Sequence, residues 1–183
     1  MAKTRDLEAR LDRVEQQLRL FQRVSRLMTR DLALDGVLQE MVNLVSDFLQ
    51  CDSCLIYLVE EGQLVLCASS EPHRQNIGRV RLRLDEGLTG WVARERRLLA
   101  ISREAYNDSR FKYFKDLPQD TFEAFLSVPI ISQNKVVGVI NVQHREPRTH
   151  SGGDMEMLST LGEQIGCLLV LSRQNSPVKS SAI

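Results

Sequence analysis

The chain has 183 residues, 43% of them hydrophobic and 26% charged, with 24 Lys and Arg balancing 24 Asp and Glu. That length suits one domain with an appendage, and zero formal net charge leaves no electrostatic case for nucleic acid or an anionic membrane as partner. No apolar run approaches the roughly 20 residues of a membrane span and "MAKTRDLEAR" lacks the apolar core of a signal peptide, so a cytoplasmic chain is expected, with Cys51, Cys54, Cys67 and Cys167 as reduced thiols.

The first thirty residues read as a helix with a seam. Leu7, Leu11, Val14, Leu18 and Phe21 are spaced 4, 3, 4 and 3, the heptad repeat of a coiled coil. A lone helix with so narrow a stripe is marginal in water, so it needs either its own domain or a second copy. After a break at Thr29-Arg30-Asp31, Asp35 is the expected N-cap of a second helix. That helix runs to about Gln50, with Leu38, Met41, Val42, Val45, Phe48 and Leu49 on one face. "SCLIYLVEEGQLVLCASS" reads as a β-hairpin turning at Glu61-Gly62. Val80 to Leu84 form a short strand, Asp85 is the expected cap of a short helix in "LTGWVARERR", and "LLAIS" is a further strand. "AFLSVPII" and "KVVGVINVQ" make a second hairpin across Ser132-Gln133-Asn134, apolar on both faces. Asp154 is the expected cap of a last helix, in which Leu158, Leu161, Ile165 and Leu168 step 3, 4 and 3. The organisation that follows is a dimerisation helix over 1–30, a globular domain over 31–171 and a polar, disordered tail over 172–183.

Six of the chain's ten aromatic residues, Tyr106, Phe111, Tyr113, Phe114, Phe122 and Phe125, fall within twenty positions. The first part of that stretch reads as a loop, and loops are normally polar surface. The sheet explains the exception, because strands apolar on both faces must be covered on both sides. The long helices cover one face of an antiparallel sheet, which leaves the short helix and the aromatic loop for the other. A long loop used as a lid is where a cavity forms.

With "CDSCLIYLVEEGQLVLCASS", "GRVRLRLDEGLTGWVARERRLLAIS", "SRFKYFKDLPQDTFEAFLSVPI" and "KVVGVINVQHREPRTHSGGDMEMLSTLGEQI" in order, the stretch from about Phe21 to Val170 resembles a GAF domain. Within that family the wording is similar to the N-terminal regulatory GAF domain of nitrogen-branch phosphotransferase-system Enzyme I. The resemblance implies a GAF-like, PAS-related α+β fold with a helical layer on one sheet face and a loop and short-helix lid on the other. It implies a signal-transduction sensor domain whose ligand sits between sheet and lid, with Trp91, Tyr106, Asp108, Phe111, Tyr113, Phe125 and Ser127 around it. The alternative is that these rings fill the space as core. A homodimer is expected through Leu7, Leu11, Val14, Leu18 and Phe21, extended by Leu158, Leu161, Ile165 and Leu168, with a downstream signalling protein reading its helices.

The chemical motifs narrow the reading further. Cys51-Asp-Ser-Cys54 follows a helix and enters a strand, where the helix dipole has the wrong sign to lower a thiol pKa, and four zinc ligands at suitable spacing are not legible. A structural role is expected for this pair. GAF proteins that reduce free methionine sulfoxide carry cysteines beside the pocket, and this chain has none between Ala68 and Gly166. Bilin attachment needs Cys beside His, and no such dipeptide occurs. His73, His144 and His150 lie in polar, loop-like contexts and read as solvated rather than as haem ligands. Of the Asn-Lys, Phe and Asp-Glu set found in cyclic-nucleotide-binding relatives, only Asp154 is matched. No catalytic constellation is legible, and the ligand or cofactor stays open. The expected function is a sensor module; the alternatives are a free methionine sulfoxide reductase-type enzyme and a ligand-free dimerisation module.

Overall fold

The computed structural model describes residues 2–30, 32–70, 73–112 and 121–175. Its order is α1 (Ala2–Met28), α2 (Leu34–Leu49), β1 (Ser53–Glu60), β2 (Gln63–Ser69), β3 (Arg81–Arg83), α3 (Gly87–Glu95), β4 (Leu99–Ile101), β5 (Ala124–Ser132), β6 (Lys135–His144) and α4 (Gly152–Asn175). Two tight turns make the hairpins. Glu61 and Gly62 (φ 48° and 79°) join β1 to β2, while Gln133 and Asn134 (φ 47° and 61°) join β5 to β6. Positive φ at both central residues matches the twist of paired strands. The six strands form one antiparallel sheet in the order β3-β2-β1-β6-β5-β4.

Alternation along the strands decides what lies on each side. Cys54, Ile56 and Leu58 of β1, Leu126, Val128 and Ile130 of β5, and Ile140 and Val142 of β6 enter a core shared with α1, α2 and α4. The residues between them point the other way. Leu55, Tyr57 and Val139 meet Val92, Ala93 and Trp91 of α3, and Phe125 meets Leu88, Ala105 and Phe111. The expected sandwich of helical layer, sheet and lid is present. α4 lies very close on β5: a Cβ on Gly166 would fall 2.8 Å from the Ile131 carbonyl oxygen and one on Gly162 3.3 Å from that of Pro129.

Several expectations need correction at the helix ends. α2 begins at Leu34 with no side chain capping it, so Asp35 sits inside the first turn and acts only through its charge. Glu86, not Asp85, is the residue before α3, and its carboxylate accepts the Arg83 amide, while Asp85 pairs with the Arg83 guanidinium. At α4, Ser151 and Asp154 form a reciprocal capping box: the Ser151 amide donates to Asp154 Oδ2 and the Asp154 amide to Ser151 Oγ, each at 3.1 Å. Asp154 is thus the inner partner of the box rather than the cap. α4 continues through Asn175, four residues past the expected boundary, and 176–183 lie outside the described residues.

The terminal helices divide differently from the expected symmetric bundle. Leu158 (0% exposed), Leu161 and Ile165 are buried against the chain's own sheet, and Leu168 packs on the same core. A side chain with no remaining surface cannot extend a dimer seam, so Leu158, Leu161 and Ile165 are core, while Leu168 is half-buried. On α1, Leu20, Val24 and Leu27 join that core and Phe21 packs half-buried beside it. Leu7, Leu11, Val14 and Leu18 stay 56–67% exposed.

Candidate functional site

The sheet face away from the long helices carries a polar strip in an apolar setting. Register places Gln143 of β6 between Ser53 of β1 and Phe125 of β5, and Asn141 between Leu55 and Ser127. Ser127 Oγ donates to Asn141 Oδ1 at 2.7 Å, and Asn141 Nδ2 donates to Thr89 Oγ1 of α3 at 2.7 Å. All three side chains are buried, and a satisfied network at low dielectric fixes geometry strongly. It ties α3 to the middle of the sheet.

The loop after β4 closes over α3. Phe111 joins the cluster of Leu88, Ala105 and Phe125. Asp108 grips Arg110 with both oxygens (2.8 and 2.6 Å) and accepts its amide at 2.9 Å, and the Arg110 guanidinium lies 4.5 Å above the Trp91 ring. Hydrogen bonding from Arg110 holds the Asp108 carboxyl below its ordinary range. Lys112 pairs with Glu86 at the start of α3. The loop is therefore fastened to α3 at two points, and its two ends meet just before β5, where the Ala105 amide donates to the Glu123 carbonyl at 2.9 Å.

At the other end of this face, polar atoms are left over. Ser53 Oγ, Gln143 Oε1 and Asn76 Nδ2 are buried with no hydrogen-bond partner among the described residues. Ser53 and Gln143 sit directly opposite each other, and Asn76 belongs to the β2–β3 connection. From that connection the buried His73 reaches Phe122, just before β5, with ring centroids 6.3 Å apart. Because β2 and β5 flank the β1–β6 pair, this contact spans the end of the sheet where Ser53 and Gln143 lie. A buried unpaired donor or acceptor costs about 1–3 kcal/mol. The facing pair of Ser53 and Gln143 fits a small polar guest or ordered water.

Among the expected site residues, Trp91 and Asp108 meet through Arg110, Phe111 and Phe125 share a cluster, and Ser127 belongs to the relay. Tyr106 is half-buried in the single turn of Ala105–Asn107. Tyr113 lies outside the described residues. Sequence reasoning missed Thr89, Arg110, Asn141 and the set of Ser53, Asn76 and Gln143. A signal was available: in "VINVQH" polar Asn141 and Gln143 alternate with apolar residues inside a strand expected to be buried on both faces.

The histidines are a correction. His73, His144 and His150 are all buried rather than solvated. His144 and His150 place their Nε2 atoms 3.2 Å apart. Burial, with Arg148 nearby, lowers both pKa values, His144 to about 4, so the pair is neutral at pH 7. Cys54 is buried in the helical core, on the side away from Phe125, and burial raises its pKa well above the ordinary thiol value. Burial also raises Cys51 and takes Cys67 to about 11. These are poor conditions for a thiolate nucleophile. An open cleft of about 680 Å³ beside His144, lined by Gln50, Asp52, Arg145 and Arg148 among others, touches none of the expected pocket residues.

A family model described as GAF domain matches residues 31–169. The chain belongs to the GAF domain family. It is 31% identical over 142 residues to a phosphoenolpyruvate-dependent phosphotransferase system protein of Escherichia coli (strain K12), an alignment covering 74% of this chain. The chain spans only 19% of that relative's length. Among solved structures, the GAF domain from an Acinetobacter phosphoenolpyruvate-protein phosphotransferase superposes with a TM-score of 0.80 at 29% identity, covering 88% of this chain and 97% of the other. A free methionine-R-sulfoxide reductase from Neisseria meningitidis, solved with its substrate, shares the fold at 16% identity and a TM-score of 0.71, over 85% of this chain and 88% of that one. The GAF resemblance and the two-sided sheet read from the sequence are thereby established.

Proposed function

We propose that this GAF domain is a regulatory sensor that binds a small polar molecule on the sheet face that also carries α3 and the loop after β4, at the end where Ser53 and Gln143 lie, and relays occupancy through its helices to a signalling partner in the cytoplasm. The observation that carries the reading is the buried, unpaired pair of Ser53 Oγ and Gln143 Oε1 on facing strands, with Gln143 opposite Phe125 and Asn76 Nδ2 likewise unpaired in the β2–β3 connection. They supply hydroxyl, amide donor and carbonyl acceptor but no charge. The guest therefore carries its own donors and acceptors, and apolar surface against Phe125 and Phe111. Trp91, Tyr106, Asp108 and Ser127 are proposed to contribute to the lid and floor around it, and the expected role of Tyr113 falls outside the described residues. The likeness to GAF domains of phosphotransferase proteins supports a regulatory rather than a catalytic role.

Gln143→Leu tests this. Replacing an unpaired buried acceptor by an apolar group of similar size stabilises a protein, or leaves it unchanged, when nothing binds there. In a thermal-shift series against amino acids and other small polar metabolites, the wild type is expected to rise in Tm with at least one of them. Gln143→Leu should start at an equal or higher Tm and show no such rise. Equal responses in both proteins would remove Gln143 from the site. The cysteine placement weighs against sulfoxide reductase chemistry, and thiol alkylation that abolishes a measured reductase turnover would reverse that judgement.

A further inference from the structure

We infer that α1 pairs with α1 of a second copy as a parallel, in-register coiled coil, with Leu7, Leu11, Val14 and Leu18 at the seam and Arg10 of each chain facing Glu15 of the other. This rests on the helix relay of the function proposed above and adds its partner, orientation and register. α1 carries two stripes with heptad spacing. One holds Arg13, Gln17, Leu20, Val24 and Leu27 and is spent on the chain's own domain: Arg13 pairs with Asp154 and stacks 4.1 Å over Phe48, Gln17 Nε2 donates to the Gly153 carbonyl at 3.1 Å, and the three apolar residues are buried. The other is the seam. At 3.6 residues per turn it lies roughly 100° around the helix, so a second helix can lie along it beside the domain without displacing the first set of contacts.

Two observations say what covers it. Every residue from Thr4 to Asp12 is exposed although the helix is formed there, and so short a projecting helix is marginal in water without a partner. The charges then select the partner. With Leu11 and Leu18 at a and Leu7 and Val14 at d, the e positions are Glu8 and Glu15 and the g positions include Arg10, all three exposed. In a parallel in-register pair, g meets e five residues further along the partner, so Arg10 meets Glu15 twice by symmetry. In an antiparallel pair e faces e and g faces g, which brings Glu against Glu. Glu15 also accepts Arg19 of its own helix through Oε2 at 3.3 Å, leaving its second oxygen for the neighbour.

The test uses the full chain with the exposed Cys167 changed to Ser. In a parallel in-register dimer each d position meets itself, so Val14→Cys should cross-link to itself under mild oxidation. Arg10→Glu should raise the dimer dissociation constant about threefold to tenfold, two exposed ion pairs being replaced by like-charge contacts, and Arg10→Glu with Glu15→Arg in the same chain should restore it. Circular dichroism near wild type is expected throughout, since these side chains lie outside the core. A dimer by light scattering that neither cross-links at position 14 nor responds to the charge exchange overturns the orientation and register while leaving self-association intact. A monomeric wild type overturns both. Neither result touches ligand binding, which the Gln143→Leu thermal series reads separately.

Discussion

Asn141 sits where three elements meet, its carboxamide accepting from Ser127 and donating to Thr89 with no solvent contact. Asn141→Ala leaves two hydroxyls buried without that partner and opens a small void. It should cost about 2–3 kcal/mol in urea unfolding; a loss below about 0.5 kcal/mol would mean that water or the hydroxyls themselves replace the relay. The His144–His150 pair makes a pH prediction. Burial holds both folded pKa values below the ordinary 6.5, His144 at about 4, with Arg148 opposing charge there and Asp52 and Asp154 partly offsetting it. The unfolded chain therefore takes up protons first as pH falls. Stability from the neutral pair is complete above pH 6.5 and declines as pH drops toward about 4. Burial raises the Asp154 carboxyl, but Arg13 and Ser151 outweigh it and hold the group below 3.8, so its loss belongs to more acidic solutions. His144→Gln should flatten the slope between pH 6.5 and 4 in urea midpoints, and an unchanged slope would place the titration elsewhere.

The elements were largely legible from periodicity and turn chemistry. Glu61-Gly62 and Gln133-Asn134 mark hairpins, and apolar residues on both sides of β5 and β6 require two covering layers. What escaped was which layer claims which stripe. Leu158, Leu161 and Ile165 repeat like a coiled-coil seam, but the same spacing serves any helix lying on a sheet, and only Gly162 and Gly166 betrayed the close approach of α4 to β5. That approach is testable. Gly166→Ala brings a methyl to within 2.8 Å of the Ile131 carbonyl oxygen, with backbone on one side and no flexible atom to yield, and should cost about 1–3 kcal/mol. Gly36→Ala in α2 meets nothing within 4 Å and should gain about 0.5–1 kcal/mol from helix propensity. Urea midpoints shifted equally by the two variants would mean that α4 does not rest on β5 as described.

For the whole molecule, the fold and family could be read from ordered motifs, whereas the site could be read only in part. Rings such as Phe111 and Phe125 stand out in a sequence; the unpaired state of Ser53, Asn76 and Gln143 does not, because it depends on strand register and on a connection crossing the end of the sheet. The same holds for Arg110, whose place over Trp91 follows from a loop turn set by Asp108. Buried polar atoms without a partner among the described residues occur on both sides of the sheet, at Gln164 of α4 as well as at Ser53 and Gln143. Among the described residues no helix is long and apolar enough to cross a membrane, and the α1 residues Leu7, Leu11, Val14 and Leu18 are exposed. Native mass spectrometry of the chain purified from its own host, wild type beside Gln143→Leu, tests the central claim most directly. The wild type should carry a non-covalent small molecule that the variant has lost; two spectra showing only polypeptide, or the same added mass on both proteins, would contradict a ligand held at Ser53 and Gln143.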